Sequence, residues 1–129
     1  MKKLLLTIVA VCIGLSLHAQ YNKEVVKEIL LKTDTTYIGQ KIKYPVCTTA
    51  DIKISKVTIP AGASTGWHKH DTHVFAYVQQ GNLTIELEGG KSIDFHQNST
   101  IAEVINTMHN GVNNGKEDVV LIVFQMEGH

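Results

Sequence analysis

The chain has 129 residues, enough for one domain, with twelve lysines against twelve acidic residues and no arginine. A neutral chain without a guanidinium group offers no basic face for nucleic acid and no fork for a phosphate ester. Nucleic-acid binding and strong electrostatic capture of phosphorylated ligands are therefore excluded as functions.

Lys2 and Lys3 precede an apolar run from Leu4 to Leu17, broken mainly by Thr7 and Ser16, and polar sequence begins at Gln20. The run is too short to span a bilayer comfortably and reads as a secretory leader, residues 1–19, cleaved after Ala19. The mature protein is then periplasmic or secreted, with no membrane attachment. Cys12 sits inside the run rather than at its end, which argues against a lipid-modified cysteine. Loss of Lys2 and Lys3 leaves ten lysines against twelve acids, a slightly negative domain. Cys47 becomes the only cysteine, so no internal disulfide forms, and it reads as a buried small hydrophobe.

Residues 20–43 form a helix and an arm. Val25, Val26, Ile29 and Leu30 recur at helical spacing with Lys23, Glu24, Lys27 and Glu28 opposite, which predicts an amphipathic helix over 22–33. From 44 to 129 the period becomes two. The predicted strands carry Ile52 to Ile59, Val74 to Val78, Leu83 to Leu87, Ser92 to Phe95, Ile101 to Ile105 and Val119 to Phe124. Pro60-Ala61-Gly62, Gln80-Gly81-Asn82, Gly89-Gly90 and Asn113-Asn114-Gly115 punctuate them as turns, Gly89-Gly90 as a tight hairpin. Val119 to Phe124 is the most apolar strand and is expected at the centre of a sheet. Many short strands with glycine-rich turns predict a small all-β closed barrel or jelly roll.

His68 and His70 stand one residue apart, so in an extended segment both imidazoles face the same side. A third imidazole, His109, brought up from a neighbouring strand would make three of the ligands that a transition metal takes. Glu103 precedes His109 by six residues in a run otherwise reading Ile101, Ala102, Val104 and Ile105, where an unpaired carboxylate would be costly to bury. A metal would compensate that charge. His96 lies in a polar turn and reads as solvated, His18 leaves with the leader, and His129 is terminal.

These residues resemble the cupins. Gly62, His68-Lys69-His70 and Gly81 match the spacing of that family's first motif, and His109 with Asn113 matches the end of its second. The resemblance covers roughly residues 50–126. It implies a double-stranded β-helix, the cupin jelly-roll barrel, over 44–129. A metal would lie inside, held by His68, His70 and His109. The sequence departs from the pattern at position 74, where the family's glutamate is replaced by Val74. It departs again where Asn98, Val104 and Asn106 stand for the second motif's Gly, Pro and Gly. The fourth ligand is then Glu103, His73 or water. Strand parity sets His73 on the face of Phe75 and Tyr77, opposite to position 74, unless a bulge shifts the register.

Three imidazoles with a carboxylate or water suit Zn, Mn, Ni, Cu or Fe(II), and export weighs weakly towards a redox-inert metal or Mn. Two functions follow. One is a metal-dependent enzyme, a dioxygenase, isomerase or lyase acting on a small oxygen-bearing organic molecule, with Glu103 as the one available catalytic base if it is not a ligand. The other is a non-catalytic periplasmic domain that binds or senses a metal or small ligand. Phe75, Tyr77, Ile85 and Phe124 are expected to line the ligand pocket. Trp67 is expected to pack on or cap the barrel. Asn106 and Asn110 either orient His109 or serve as turn residues. The resemblance also implies pairing into a homodimer through an edge strand.

Overall fold

The alternating pattern resolves into antiparallel strands β1 (Ala50–Ile59), β2 (Val74–Gln80), β3 (Leu83–Leu87), β4 (Ser92–Phe95), β5 (Thr100–Ala102), β6 (His109–Val112) and β7 (Val119–Gly128). They belong to a computed structural model that describes residues 27–43, 46 and 48–128. The leader, Cys47 and residues 22–26 of the expected helix lie outside the described residues. Among the described residues no helix is long and apolar enough to cross a membrane.

One sheet has the order β1-β7-β2-β5 and the other β4-β3-β6. Apolar β7 therefore lies between β1 and β2, as its composition predicts. Gly89 and Gly90, both at positive φ, close the β3–β4 hairpin, with Leu87 N–H donating to Lys91 O at 2.7 Å. One expected boundary moves and one strand was not expected. The strand predicted over 101–105 leaves its ladder after Ala102, and a short strand, β6, begins at His109.

The two sheets enclose a core of Ile59, Ala76, Val78, Leu83, Ile85, Ile101, Val119 and Leu121. Each of the larger side chains contributes roughly 1.5–3 kcal/mol by leaving water. Tyr37 and Phe95 pack against this core and meet edge to face at 5.5 Å between ring centres.

Parity within β2 corrects part of the expected pocket. Val74, Ala76 and Val78 are buried, so Phe75 and Tyr77 face outward, where they pair with Phe124 and Ile122 of β7. Phe124 is 41% exposed. Of the four residues expected in the pocket, Ile85 alone faces inward. In so small a barrel, three inward aromatic rings would leave no cavity.

The N-terminal arm also differs from expectation. Residues 27–33 carry no helix, and Ile29, Leu30 and Leu31 are exposed. Leu30 O accepts a hydrogen bond from Thr100 Oγ1 at 2.8 Å, and Tyr37 N–H donates to Ala102 O at 3.0 Å, so the arm runs along β5. A short helix is marginal in water unless its apolar stripe packs, and here the strand edge offers partners to the arm's backbone instead.

Gly62 and Gly81 both adopt left-handed backbone, at φ 75° and 78°. A Cβ at Gly62 would meet open space, whereas at Gly81 it would stand 2.8 Å from Asp118 O and 3.1 Å from Val119 Cγ2. Gly81→Ala is therefore expected to destabilise the barrel by about 2 kcal/mol or more, from backbone strain plus overpacking, and Gly62→Ala by about half that. Urea unfolding checks this as a lower midpoint with an unchanged slope.

Candidate metal centre

The segment that carries the first two histidines is stitched onto β6. Gly62 N–H donates to Asn113 O, Asn113 N–H to Ala63 O, and Thr65 N–H to Gly111 O, each at 2.9 Å. His68 and His109 then exchange both backbone hydrogen bonds, also at 2.9 Å. The buried Asn113 amide secures the far end by donating to Ile59 O and Glu117 O at 2.8 Å and accepting from Gly115 N–H at 2.9 Å. The ends of the two sequence motifs are thus adjacent extended segments, which sets His68 directly opposite His109.

His70, two residues on, faces the same cavity. Its carbonyl accepts from Asn106 N–H at 2.7 Å, with Asn106 in left-handed backbone. Asn106 thus serves as a turn residue. The Asn110 amide donates to Glu86 Oε2 at 3.1 Å, away from the cavity. Neither asparagine orients His109; Thr107 does so through its carbonyl.

The three rings lie 4.4 Å (His68–His109), 5.0 Å (His68–His70) and 5.0 Å (His70–His109) apart between centres. One nitrogen from each falls within 4.8 Å of the others. Ligand nitrogens at about 2.1 Å from one ion stand about 3.4 Å apart in a tetrahedron, so small ring rotations close the remaining gap. His68 Nδ1 stands 2.8 Å from Gly66 O and His109 Nδ1 2.9 Å from Thr107 O. A carbonyl can only accept, so both Nδ1 atoms carry hydrogen and both Nε2 atoms are left to turn a lone pair on an ion.

Glu103 joins this group. It is 8% exposed, and its Oε2 lies 3.2 Å from His109 Nε2 and 3.3 Å from His70 Nε2. Burial by itself pushes the Glu103 carboxyl up, but hydrogen bonds and charge from His109 and His70 outweigh it and hold the carboxyl at about 2. Burial pushes His109 down, yet the Glu103 hydrogen bond, the Thr107 carbonyl and the Glu103 charge leave it raised. A carboxylate and an imidazole nitrogen at that distance are two acceptors unless a cation stands with them. In the metal-free chain a proton on His109 fills that part. The donor set therefore fits a divalent ion.

Position 74, where the family pattern has its glutamate, holds Val74, which lines the cavity. Glu103 N–H donates to Val74 O at 2.9 Å, one rung beyond the Phe75–Ala102 pair. The carboxylate thus comes from the next strand position on the same rung. His73 takes no part, because its Nε2 accepts from Lys43 N–H at 3.1 Å on the other side of the strand.

Trp67 lies against the outside of the barrel at the β3–β4 hairpin. It is 52% exposed on the outer face, beside Glu86, Glu88 and Met108. His96 is exposed, as expected, with Nδ1 3.1 Å from Asn82 Oδ1. Tyr37 stays a neutral phenol, its pKa pushed up by burial and by the Glu103 charge.

Sequence reasoning missed Gln40. Its amide donates to Ile105 O at 2.9 Å and accepts from Ile105 N–H at 2.9 Å, clamping the segment between Glu103 and His109. Nothing local in the sequence signals that clamp, which joins residues 65 apart. The cavity itself, about 260 Å³, has walls of Val57, Val74, Leu83, Ile85, Leu121 and Val123, with Lys53, Ser55 and Gln125 at one end.

Solved structures that this chain is similar to include cupin domains. A cupin domain from Bordetella pertussis Tohama I has 20% identity and a TM-score of 0.53, over 60% of this chain and 82% of that one. The cupin domain of Schizosaccharomyces pombe Cnp3 has 16% identity and a TM-score of 0.54, over 60% and 56%. A Thermotoga maritima protein described as a predicted oxalate decarboxylase has 20% identity and a TM-score of 0.50, over 56% and 63%. At such identities the likeness establishes the fold alone. No curated protein matches the sequence. The family model of the cupin domain matches residues 55–125, more than half of the chain, and runs from inside β1 to inside β7, so this chain belongs to the cupin family.

Proposed function

We propose that the protein is an exported metal-binding cupin whose barrel takes a small organic ligand against a divalent ion held by His68, His70, His109 and Glu103. The observation that carries this reading is the buried Glu103 carboxylate 3.2 Å and 3.3 Å from two imidazole nitrogens, an arrangement that a cation completes. A divalent ion there supplies Lewis acidity towards a ligand oxygen. The protein's own part is to fix the rings through Gly66 O and Thr107 O, to shield the site with an aliphatic wall, and to hold the proton on His109 that metal entry displaces.

The activity class is a dioxygenase, isomerase or lyase. The second reading, a non-catalytic binder, is favoured by one observation. Glu103 is engaged by His70 and His109, and no other carboxylate lines the cavity among the described residues. Protein purified without a histidine tag is expected to carry about one Zn, Mn, Ni, Cu or Fe per chain by elemental analysis; a metal-free protein that cannot be loaded defeats the reading. Oxygen uptake and product formation with small diketones, phenols and sugars on the loaded protein separate enzyme from binder. The leader sequence supports export. The exposed Ile52 and Ile54 on edge strand β1 support pairing of two copies there.

A further inference from the structure

We propose that the cavity is built for a small organic acid, whose carboxylate is held by Lys53, Ser55 and Gln125 while its body lies along the aliphatic wall. The inference rests on the metal reading for the far end of the ligand and on a separate set of residues for the acid end.

One rung of the larger sheet carries the argument. Lys53 of β1 pairs with Gln125 of β7, and Gln125 pairs with Val74 of β2. Val74 is in turn bonded to Glu103. Lys53, Gln125, Val74 and Glu103 therefore cross the sheet at one level, and all four line the cavity. Ser55 faces the same way two residues after Lys53. The neighbouring inward positions on these strands are Val57, Leu121 and Val123, so three polar side chains gathered at one end break an otherwise aliphatic wall.

Those polar groups have capacity to spare. The Ser55 hydroxyl and the Gln125 amide have no hydrogen-bond partner within the protein among the described residues, and neither is sealed from the cavity. Lys53 Nζ lies 2.7 Å from Glu127 Oε1. An ammonium has three donors, so this exposed pair leaves two of them for a ligand. A carboxylate accepts from an ammonium, an amide N–H and a hydroxyl together, and charge-assisted bonds of that kind are the strong ones.

Charge and size agree. With the imidazoles as neutral ligands of a divalent ion, the Glu103 carboxylate and the Lys53 ammonium leave the cavity lining cationic, and an anionic ligand would balance it. Lys53 and Glu103 stand three strand spacings apart, about 14 Å between backbones, and side chains reaching in from both ends shorten that to the length of a short acid. A volume of about 260 Å³ equals roughly nine waters at about 30 Å³ each, which limits the acid to fewer than about ten non-hydrogen atoms.

The test titrates straight-chain carboxylates from acetate to hexanoate, and the primary amide of each, into the zinc-loaded protein by calorimetry. Zinc content is measured on the same samples. Carboxylates are expected to bind about tenfold or more tightly than their amides. Lys53→Met is expected to abolish that preference with zinc content unchanged, and Glu127→Gln, which frees the ammonium, to increase it. Equal binding of acid and amide by the wild type overturns the inference. So does a preference that survives Lys53→Met, because the acid then sits on the ion alone. If the wild type holds no zinc, the metal reading fails by itself. The acid–amide comparison is then made on the metal-free chain, where a preference that depends on Lys53 upholds the acid site and its absence overturns it.

Discussion

Replacing His68 and His109 together by alanine is expected to reduce bound divalent metal from about one per chain to background while the barrel still folds. The two residues sit opposite each other, and their backbone hydrogen bonds survive truncation of the side chains. The core of Ile59, Val78, Ile85 and Leu121 contains neither ring. Circular dichroism should therefore show an intact sheet, and elemental analysis of tag-free protein should show the loss. A chelator is expected to lower the melting temperature of the loaded wild type and leave the variant where it is, since an ion bound only by the folded state stabilises by mass action. Equal metal content in both proteins would falsify the assignment.

Metal binding by the wild type is expected to depend on pH with a definite sign. In the metal-free wild type His109 is raised above its ordinary value by Glu103 and Thr107 despite its burial. Below that raised value the proton must leave before an ion can bind. Apparent metal affinity is thus expected to fall by about tenfold for each pH unit below it and to level off above it, one proton being displaced per ion at this nitrogen. A flat profile through neutral pH would mean that His109 is not a ligand.

The site was legible in the sequence to an unusual degree because its signal is spacing. Two histidines one residue apart and two glycines at fixed distances survive any ambiguity in strand boundaries, and His109 with Asn113 came from the same pattern. The barrel was legible from period-two runs and their turns. Less readable was which face of each run points inward. Phe75, Tyr77 and Phe124 read as pocket residues because they are large and apolar, but interior volume favours Val74, Ala76 and Val78. Gln125 and Lys53 were missed for the related reason that β1 and β7 run past their apolar stretches to the cavity end, beyond the residues that alternation makes conspicuous. Over residues 27–33 the expected helix gives way to an arm along β5, whose free edge offers backbone partners while Leu30 and Leu31 line an apolar groove with Phe75, Tyr77 and Phe124. Trp67 lies on the outer face because the adjacent His68 takes the inward position.

Glu103 is the residue on which the sequence and the family pattern part, and exchanging it with Val74 gives the sharpest test of the centre. Glu103→Val is expected to weaken zinc binding by about 100-fold or more, since even residues that only orient a ligand cost up to that much. His70 and His109 then lose the carboxylate that stands 3.3 and 3.2 Å from their Nε2 atoms. Adding Val74→Glu is expected to recover most of the affinity. Val74 is hydrogen-bonded to Glu103 across the sheet and already faces the cavity, so a glutamate there is expected to reach the same two nitrogens from the adjacent strand. His73→Ala is expected to leave zinc affinity unchanged, because His73 Nε2 is occupied by the Lys43 N–H. Competition with a chromophoric chelator measures all four proteins on one scale. Undiminished affinity in Glu103→Val would remove the carboxylate from the ligand set and leave a three-imidazole centre. Loss without recovery in the double variant would mean that the two rung positions are not interchangeable. Recovery would show that the site is defined by where a carboxylate enters the cavity, whichever strand supplies it.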